Sequence, residues 1–517
     1  MAEVGIVFVG FMGAGKSEAA RAVARALGTA AKDSDELIER EIGESIASFF
    51  ESEGEAVFRE REERVVCELL EGGGVLSLGG GAVTSDRVRE ALRDHVTVWC
   101  QVDPETAWKR ASRNDRRPLA ADETTFRELY AERLGLYEQV ACAVLPEGGR
   151  EVATAVAPWL DEMRSRPGLR LAWARSKSAQ YPAVVGEGAL ELLDGDAASS
   201  LGVERWFAVA DREALAHHRE LLPETEEVID VEAGEERKTL AEAEEVLREL
   251  ARAGARRDDG LLAFGGGVVG DLGGLCAALY QRGVKVVQAP TTLVGQVDSA
   301  YGGKTGVDLP EAKNYAGAYH MPSAVLADPR TLATLPRAEL AAGFAEVLKT
   351  GLIAGGGLWQ RVREIDEVDP SELTDVIFDC ARTKLEVVAA DERDGGRRAV
   401  LNLGHTVGHA IEAATGYSRY RHGEAVGLGL LATLRLSNAD ELRAEVLGIL
   451  DRHGLPTRLD DSVSTEDVLA ATRLDKKRTA EGLPFVLLAR PGEPREGQAV
   501  DADSVRGAVD ELRMTEG

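Results

Sequence analysis

The sequence predicts an α/β protein made of two successive α/β sections and a mainly helical third section. Three observations predict it. Apolar runs of strand length alternate with helical periodicity from residue 4 onward. Two of those runs end in glycine-rich loops that open helices, at 10–17 and 264–274. Beyond about residue 330 the strand pattern thins and helical periodicity takes over. At 517 residues and 44% hydrophobic content, the chain can bury about three cores of ordinary domain size.

Taken in order, residues 4–9 read as a strand, "GFMGAGKS" (10–17) as a loop, and the residues from Lys16 as a helix. The alternation recurs through the strand "HVTVWCQV" and the helix after Pro104. "APWLDEMRSRPGLRLAW" interrupts it with Pro and Arg, so a linker is expected at 161–170 after a first domain at 1–160. A second α/β section at 171–329 contains strands at 205–211, 260–264 and 284–290 and an acidic helix at 239–253. The section 330–517 is expected to be helical, as in "AELAAGFAEVLKTGL" and "LRAEVLGILDRHG". There is no fixed-period repeat.

Composition narrows the function. A formal net charge of −28 repels nucleic acid and anionic lipid, and no run approaches the ~18 apolar residues of a membrane span. Five scattered cysteines without a CxxC pair indicate neither a disulfide framework nor a thiolate metal site. "MAEVGIVFVG" has an acid where a signal peptide would be basic. Small-molecule chemistry in the cytoplasm is the expectation, with no nucleic-acid or membrane partner. Only 12 of the 61 basic residues are lysines. A lysine inside a glycine- or histidine-rich segment therefore suggests a need for a compact point charge.

"GFMGAGKS" satisfies G-x-x-x-x-G-K-[ST] between a strand and a helix. Backbone N–H groups of Met12, Gly13, Ala14 and Gly15 would cradle phosphates, Lys16 would neutralise them, and Ser17 would hold Mg²⁺. Further along come Asp33 and Asp35 in "DSDELIE", Arg59 in "FRERE", glycines 79–81 in "LSLGGGAV", "RNDRRPL" and "ERLGLY". With these motifs in this order, residues 1–160 resemble shikimate kinase. The resemblance implies ATP with Mg²⁺, the ion being held by Ser17 and Asp33. Asp35 would orient the shikimate hydroxyl and take its proton, while Arg59 and Arg133 grip the carboxylate over Gly79, Gly80 and Gly81. Arg117 would stabilise the transferring phosphoryl group, and Arg110 would lie near adenine. Glu18 stands where the family has a small residue, in a place where it would repel phosphate.

"FGGGVVGDLGG" (264–274) follows a strand and opens a helix, as close approach to a pyrophosphate requires. With "APTTLVGQVDSAYGGKTGVD", "AKNYAGAYHMP", "AEVLKTG" and "LNLGHTVGHAIEA", residues 170–490 resemble 3-dehydroquinate synthase. The resemblance implies NAD⁺ held by Asp211, Glu235, Lys238, Gly266, Gly267, Asp271, Thr291, Thr292, Lys304, Lys313 and Thr334. It implies a heptulosonate phosphate held by Arg282, Asp298, Lys304, Asn314, Lys349, Lys384, Arg398, Asn402, His409 and Lys476, with Lys304, Lys349 and His409 catalytic.

His405, His409 and His422 fall in one 18-residue window of a chain with eight histidines. His405 and His409 share a face if their segment is helical, and a third ligand plus an open position suits catalytic zinc. "HTVGH" lacks the acid of HExxH, so a hydrolytic metalloprotease is not indicated. The resemblance assigns zinc (or cobalt) to Glu346, His405 and His422, leaving His409 near the substrate phosphate.

The expected whole is a P-loop kinase domain followed by a two-part synthase, a Rossmann-like NAD-binding section plus a mainly α-helical metal-binding section. Another sugar phosphate cyclase remains an alternative for the second half, and a non-catalytic nucleotide-binding module for the first. A homodimer through the synthase half is one arrangement left open.

Overall fold

A computed structural model describes residues 3–112, 122–232, 234–474 and 483–513. The chain forms two compact units, one of residues 1–175, 180–184 and 191–202, the other of 176–179, 185–190 and 203–517.

In the first unit, strands β1 (Ile6–Val9), β2 (Ala31–Asp33), β3 (Val75–Ser77), β4 (Val96–Cys100), β5 (Ala143–Leu145), β6 (Arg170–Arg175) and β7 (Gln180–Val185) run in the order β2-β3-β1-β4-β5-β6-β7. From β2 to β6 every pairing is parallel. All four residues of β1 are buried, as expected of a strand covered on both faces. The helix Lys16–Ala26 buries mostly alanines, whose small side chains allow the helix Gly149–Met163 to pack closely against it.

The linker expected at 161–170 is corrected here. The helix Gly149–Met163 runs through Pro158 with seven buried side chains, and that burial outweighs the one hydrogen bond Pro removes. Residues Arg170–Arg175 are then a strand, not a connection. The first unit therefore extends past residue 160.

In the second unit, β8 (Trp206–Asp211), β9 (Glu227–Val231), β10 (Gly260–Gly265), β11 (Lys285–Pro290) and β14 (Ala324–Ala327) form a parallel array in the order β14-β11-β10-β8-β9. The order reverses at β8, which lies between β9 and β10. A crevice at the carboxyl ends of β8 and β10 is thus a topological switch point, where open α/β sheets bind ligands. Strands β12 (Lys304–Leu309) and β13 (Ala312–Tyr319) form an antiparallel hairpin. The amphipathic helix Leu240–Arg252 turns Ala243, Val246 and Leu250 into the core beneath β8 and β10.

Beyond residue 330 helices dominate as expected, although β15 (Leu483–Leu488) and β16 (Pro494–Val500) add a hairpin. The boundary expected at 329/330 separates sheet from helices, but it does not separate compact units. The helix Arg337–Ala354 is buried continuously from Ala342 to Ile353, so its polar residues are interior groups. The helix His422–Leu436 approaches its neighbours at glycines. A Cβ on Gly423 would overlap the Ala342 carbonyl, and one on Gly429 the Gly404 carbonyl. No helix among the described residues is long and apolar enough to cross a membrane.

Candidate active sites

The first site begins where β1 ends. Gly13 and Gly15 have φ of +85° and +82°, which other residues adopt only under strain, and a Cβ on Gly13 would lie 2.9 Å from the Ala107 carbonyl. This places Met12, Gly13, Ala14 and Gly15 in a tight loop ahead of the helix Lys16–Ala26. Lys16 Nζ folds back to donate to the Phe11 carbonyl at 3.2 Å, and Ser17 Oγ lies 3.2 Å from Ser77 Oγ. Arg110 donates to the Gly13 carbonyl at 3.1 Å and pairs with Glu147 at 2.7 Å. A cavity of about 280 Å³ lies beside the loop, lined among others by Gly15, Glu18, Arg110, Leu145 and Glu147. Glu18 therefore faces the side where a nucleoside would sit.

Next to the loop, Asp33 caps the helix Ser34–Ile42 by accepting from the Asp35 amide at 3.1 Å. Asp35 is exposed at the cleft, with protein atoms crowding its carboxylate. Loss of water around its carboxylate, with Asp33 nearby, pushes its pKa up to about 6. The glycine strip is the floor on which the charged groups meet. A Cβ on Gly79 would lie 2.6 Å from both Asp35 Oδ1 and Glu62 Oε1, and one on Gly81 would overlap the Arg59 guanidinium. Arg59 pairs with Glu62 at 2.5 Å and with Glu55 at 2.9 Å. Arg133 is 4% exposed and donates to the Gly80 carbonyl at 3.2 Å, which Tyr137 also reaches at 2.6 Å. Its Nε has no hydrogen-bond partner among the described residues, a buried donor that an anion would satisfy. Arg117 lies outside the described residues.

The second site starts at the switch point. Asp211 ends β8 and caps the next helix, accepting from the Glu213 amide at 2.8 Å. Gly266 caps the helix Gly267–Leu279, and a Cβ there would lie 2.9 Å from Thr292 Cγ2. The Thr291 amide bonds the Gly265 carbonyl at 2.9 Å. Lys238, nearly buried, donates to Asp271 and to Asn314, both at 2.6 Å, and Lys313 pairs with Glu235 at 3.2 Å. Thr334 is hydrogen-bonded to His218 at 2.7 Å.

Beyond the crevice lies a buried ionic cluster. One turn of the helix Arg337–Ala354 presents Glu346 and Lys349, each 1% exposed. A π-turn at Gly295–Ser299 inserts Asp298 between Lys349, at 2.7 Å, and Lys384 of the helix Thr374–Ala390. Burial, reinforced by Arg398, draws the Lys384 pKa down to about 7. Arg398 is held by the carbonyls of Glu392 and Gly302 at 2.7 and 3.2 Å. Lys304 pairs with Asp394 at 2.8 Å, and Asn402 ends the same 3₁₀ turn that carries Arg398. Arg282 lies on an exposed turn with φ +69°, and no described contact joins it to the cluster. Lys476 lies outside the described residues.

The histidines converge on Glu346. His405 Nε2 is 3.5 Å and His422 Nε2 3.3 Å from Glu346 Oε1. Ligand atoms of His405, His409 and His422 lie within 4.8 Å of one another, with His409 the exposed member. Lys349 sits 2.5 Å from Glu346 Oε2, yet neither oxygen makes a well-formed hydrogen bond among the described residues. A carboxylate left in this state at the meeting point of imidazole nitrogens fits a divalent cation. Burial opposes the charge on His422, but the carboxylates of Glu346 and Glu412 on either side of its ring raise its pKa to about 9.

Residues 228–342 match the N-terminal and 343–478 the C-terminal 3-dehydroquinate synthase family model, and residues 12–164 match that of shikimate kinase. The 3-dehydroquinate synthase of Symbiobacterium thermophilum is 45% identical over 295 residues, 55% of this chain and 82% of its own length. The chain belongs to the 3-dehydroquinate synthase family, fused to a shikimate kinase. A second synthase, from Gloeobacter violaceus, is 40% identical over 350 residues, 64% of this fusion and 96% of that protein. Among solved structures, 2-deoxy-scyllo-inosose synthase with carbaglucose-6-phosphate, NAD⁺ and Co²⁺ shares the synthase fold. It is 22% identical with TM-score 0.57, covering 66% of this chain and 99% of that one. The 2-epi-5-epi-valiolone synthase of Streptomyces hygroscopicus subsp. jinggangensis, with NAD⁺ and Zn²⁺ bound, is 27% identical with TM-score 0.56, covering 66% and 98%.

Sequence reasoning overlooked several residues of both sites. Glu62 and Tyr137 shape the kinase pocket, and Asp394 and Glu392 tether Lys304 and Arg398. Glu412 bonds His422. Of these, only Glu412 left a local signal, seven residues after His405 on the same helical face.

Proposed function

We propose that the fusion phosphorylates the 3-hydroxyl of shikimate from ATP at its first site. At its second, it cyclises 3-deoxy-D-arabino-heptulosonate 7-phosphate to 3-dehydroquinate with release of phosphate. The convergence of His405 and His422 on the unsatisfied Glu346 carboxylate, beside the Asp298, Lys349 and Lys384 cluster, carries the second assignment.

At the kinase site, loop amides and Lys16 hold the β and γ phosphates while Ser17 and Asp33 face Mg²⁺. Arg59 and Arg133 clamp the substrate carboxylate, which completes the hydrogen bonding of the Arg133 Nε. Asp35 receives the hydroxyl proton, and a pKa near 6 leaves it ionised at neutral pH but basic enough to act. Arg110 borders the nucleoside, and Arg117 supplies charge to the transferring group.

At the synthase site, Asp211, Lys238, Asp271 and the Gly266–Gly267 turn receive the dinucleotide at the switch point, with Thr291, Thr292, Lys313 and Thr334 toward its nicotinamide end. Glu346, His405 and His422 would hold the metal. When bound, NAD⁺ and zinc, or cobalt, supply reversible oxidation of a ring hydroxyl and polarisation of its oxygen. Lys349, Lys384, Arg398 and Asn402 face the substrate's anionic and hydroxyl groups, Lys476 is assigned to the same substrate by the family resemblance, and Asp298 pairs with both Lys349 and Lys384 and orients them. His409, the exposed member of the three histidines, handles a proton at the departing phosphate. A reducing cytoplasm suits five cysteines that are all free thiols.

The test is two assays on the intact chain: ATP consumption with shikimate, and phosphate release from the heptulosonate phosphate with NAD⁺ and Zn²⁺. Metal-loaded protein that releases no phosphate, or forms a different carbocycle, refutes the synthase reading.

A further inference from the structure

The assignment of a metal to Glu346, His405 and His422 leaves one buried acid beside them without a role. Glu412 lies on the helix His405–Ala414, seven residues after His405 and three after His409, so the three share a face. It is 6% exposed, and its carboxylate meets His422 Nδ1 at 3.3 Å, across a junction of two helices. His405 is treated in parallel, its Nδ1 lying 3.2 Å from the Leu403 carbonyl. In both rings Nδ1 faces an acceptor, so Nε2, 3.5 and 3.3 Å from Glu346 Oε1, is the nitrogen turned to the place a metal would take.

We propose that Glu412 is a positioning residue of the metal site, a carboxylate that sets the tautomer and ring orientation of His422 so that Nε2 faces the metal. The inference rests on the metal reading of the preceding subsection. Glu412 is not itself a ligand. Its carboxylate meets His422 at Nδ1, whereas the Nε2 atoms of His405 and His422 turn to Glu346 Oε1. Nor is it an ordinary surface salt bridge, because both partners are drawn from helices packed through Gly408, whose Cβ would lie 3.1 Å from the Ala425 carbonyl. An oriented imidazole with a carboxylate behind it is a stronger and better directed ligand.

The experiment measures zinc affinity of the full chain by competition with a chromophoric chelator, and the visible spectrum of the Co²⁺-loaded protein, for wild type, Glu412→Ala, Glu412→Gln and His422→Ala. NAD⁺ binding and thermal melting report folding of each variant. Glu412→Ala is expected to weaken zinc roughly 10–100-fold and to shift the Co²⁺ bands, with Glu412→Gln, which keeps an acceptor, falling between it and wild type. If Glu412→Ala fails to fold, the near-isosteric Glu412→Gln decides alone. Wild-type zinc affinity and an unchanged Co²⁺ spectrum in a folded Glu412 variant would overturn the proposal. Wild-type affinity in His422→Ala as well would show instead that the metal assignment had failed.

Discussion

The kinase site and the synthase site both gather anionic ligands within a chain of net charge −28, and they do so with different cations. Apart from Lys16 in its phosphate loop, the kinase uses guanidiniums. Arg59 is locked by Glu55 and Glu62, Arg133 by the Gly80 carbonyl, and Arg110 by Glu147 and the Gly13 carbonyl. The synthase concentrates ammoniums, with Lys238, Lys304, Lys313, Lys349 and Lys384 each beside a carboxylate. A planar fork suits one carboxylate held in one pose through phosphoryl transfer. Point charges on flexible stems suit a substrate that changes shape as it cyclises within one pocket. The difference fits a choice of cation by how rigidly the ligand is to be held, and not simply by how much charge it carries.

The comparison can be broken at several points, and the largest effect belongs to the metal. His405→Ala should strip the ion and lower phosphate release by at least about 10³-fold, while ATP turnover with shikimate stays at wild-type level. Asp35→Asn should do the converse, lowering kinase kcat by about 10²–10⁴-fold with the synthase intact. In wild type, kinase kcat/KM should fall about tenfold per pH unit below about 6, because the base must be ionised. A rate held level down to pH 4.5 would refute Asp35 as the base.

Exchanging the cations tests the comparison directly. Arg59→Lys loses the fork and should raise KM for shikimate about tenfold with little change in kcat. Lys349→Arg forces a larger head into a site 1% exposed and should cost about 1–3 kcal/mol of stability, read as a lower melting temperature. The smallest effect is expected at Glu18. Its exchange for Thr removes one solvent-screened charge beside the nucleotide cavity and should lower KM for ATP by only about two- to fivefold.

Much of this was legible along the chain. The phosphate loop is a local object, since Gly13 and Gly15 take conformations that their residue type alone makes accessible. The strands at 205–211, 260–264 and 284–290 appear within one residue of their expected bounds, because continuous apolar runs fit a doubly covered parallel sheet. Pro158 misled, since a residue that usually breaks a helix sits inside one whose seven buried side chains outweigh the loss.

The sequence by itself determined the phosphate loop, the alternation behind the parallel strands of each unit, and the crowding of three histidines into 18 residues. Tertiary structure alone decided which groups face one another. Glu346 stands 59 positions before His405 and meets it because Gly423 and Gly429 let the helix His422–Leu436 approach two backbones within van der Waals contact. Asp298 reaches Lys349 and Lys384 only through a π-turn whose Gln296 amide is fixed by three buried acceptors. Local rules act over a turn or a strand, whereas these juxtapositions depend on how closely whole helices pack, a property that belongs to no single segment.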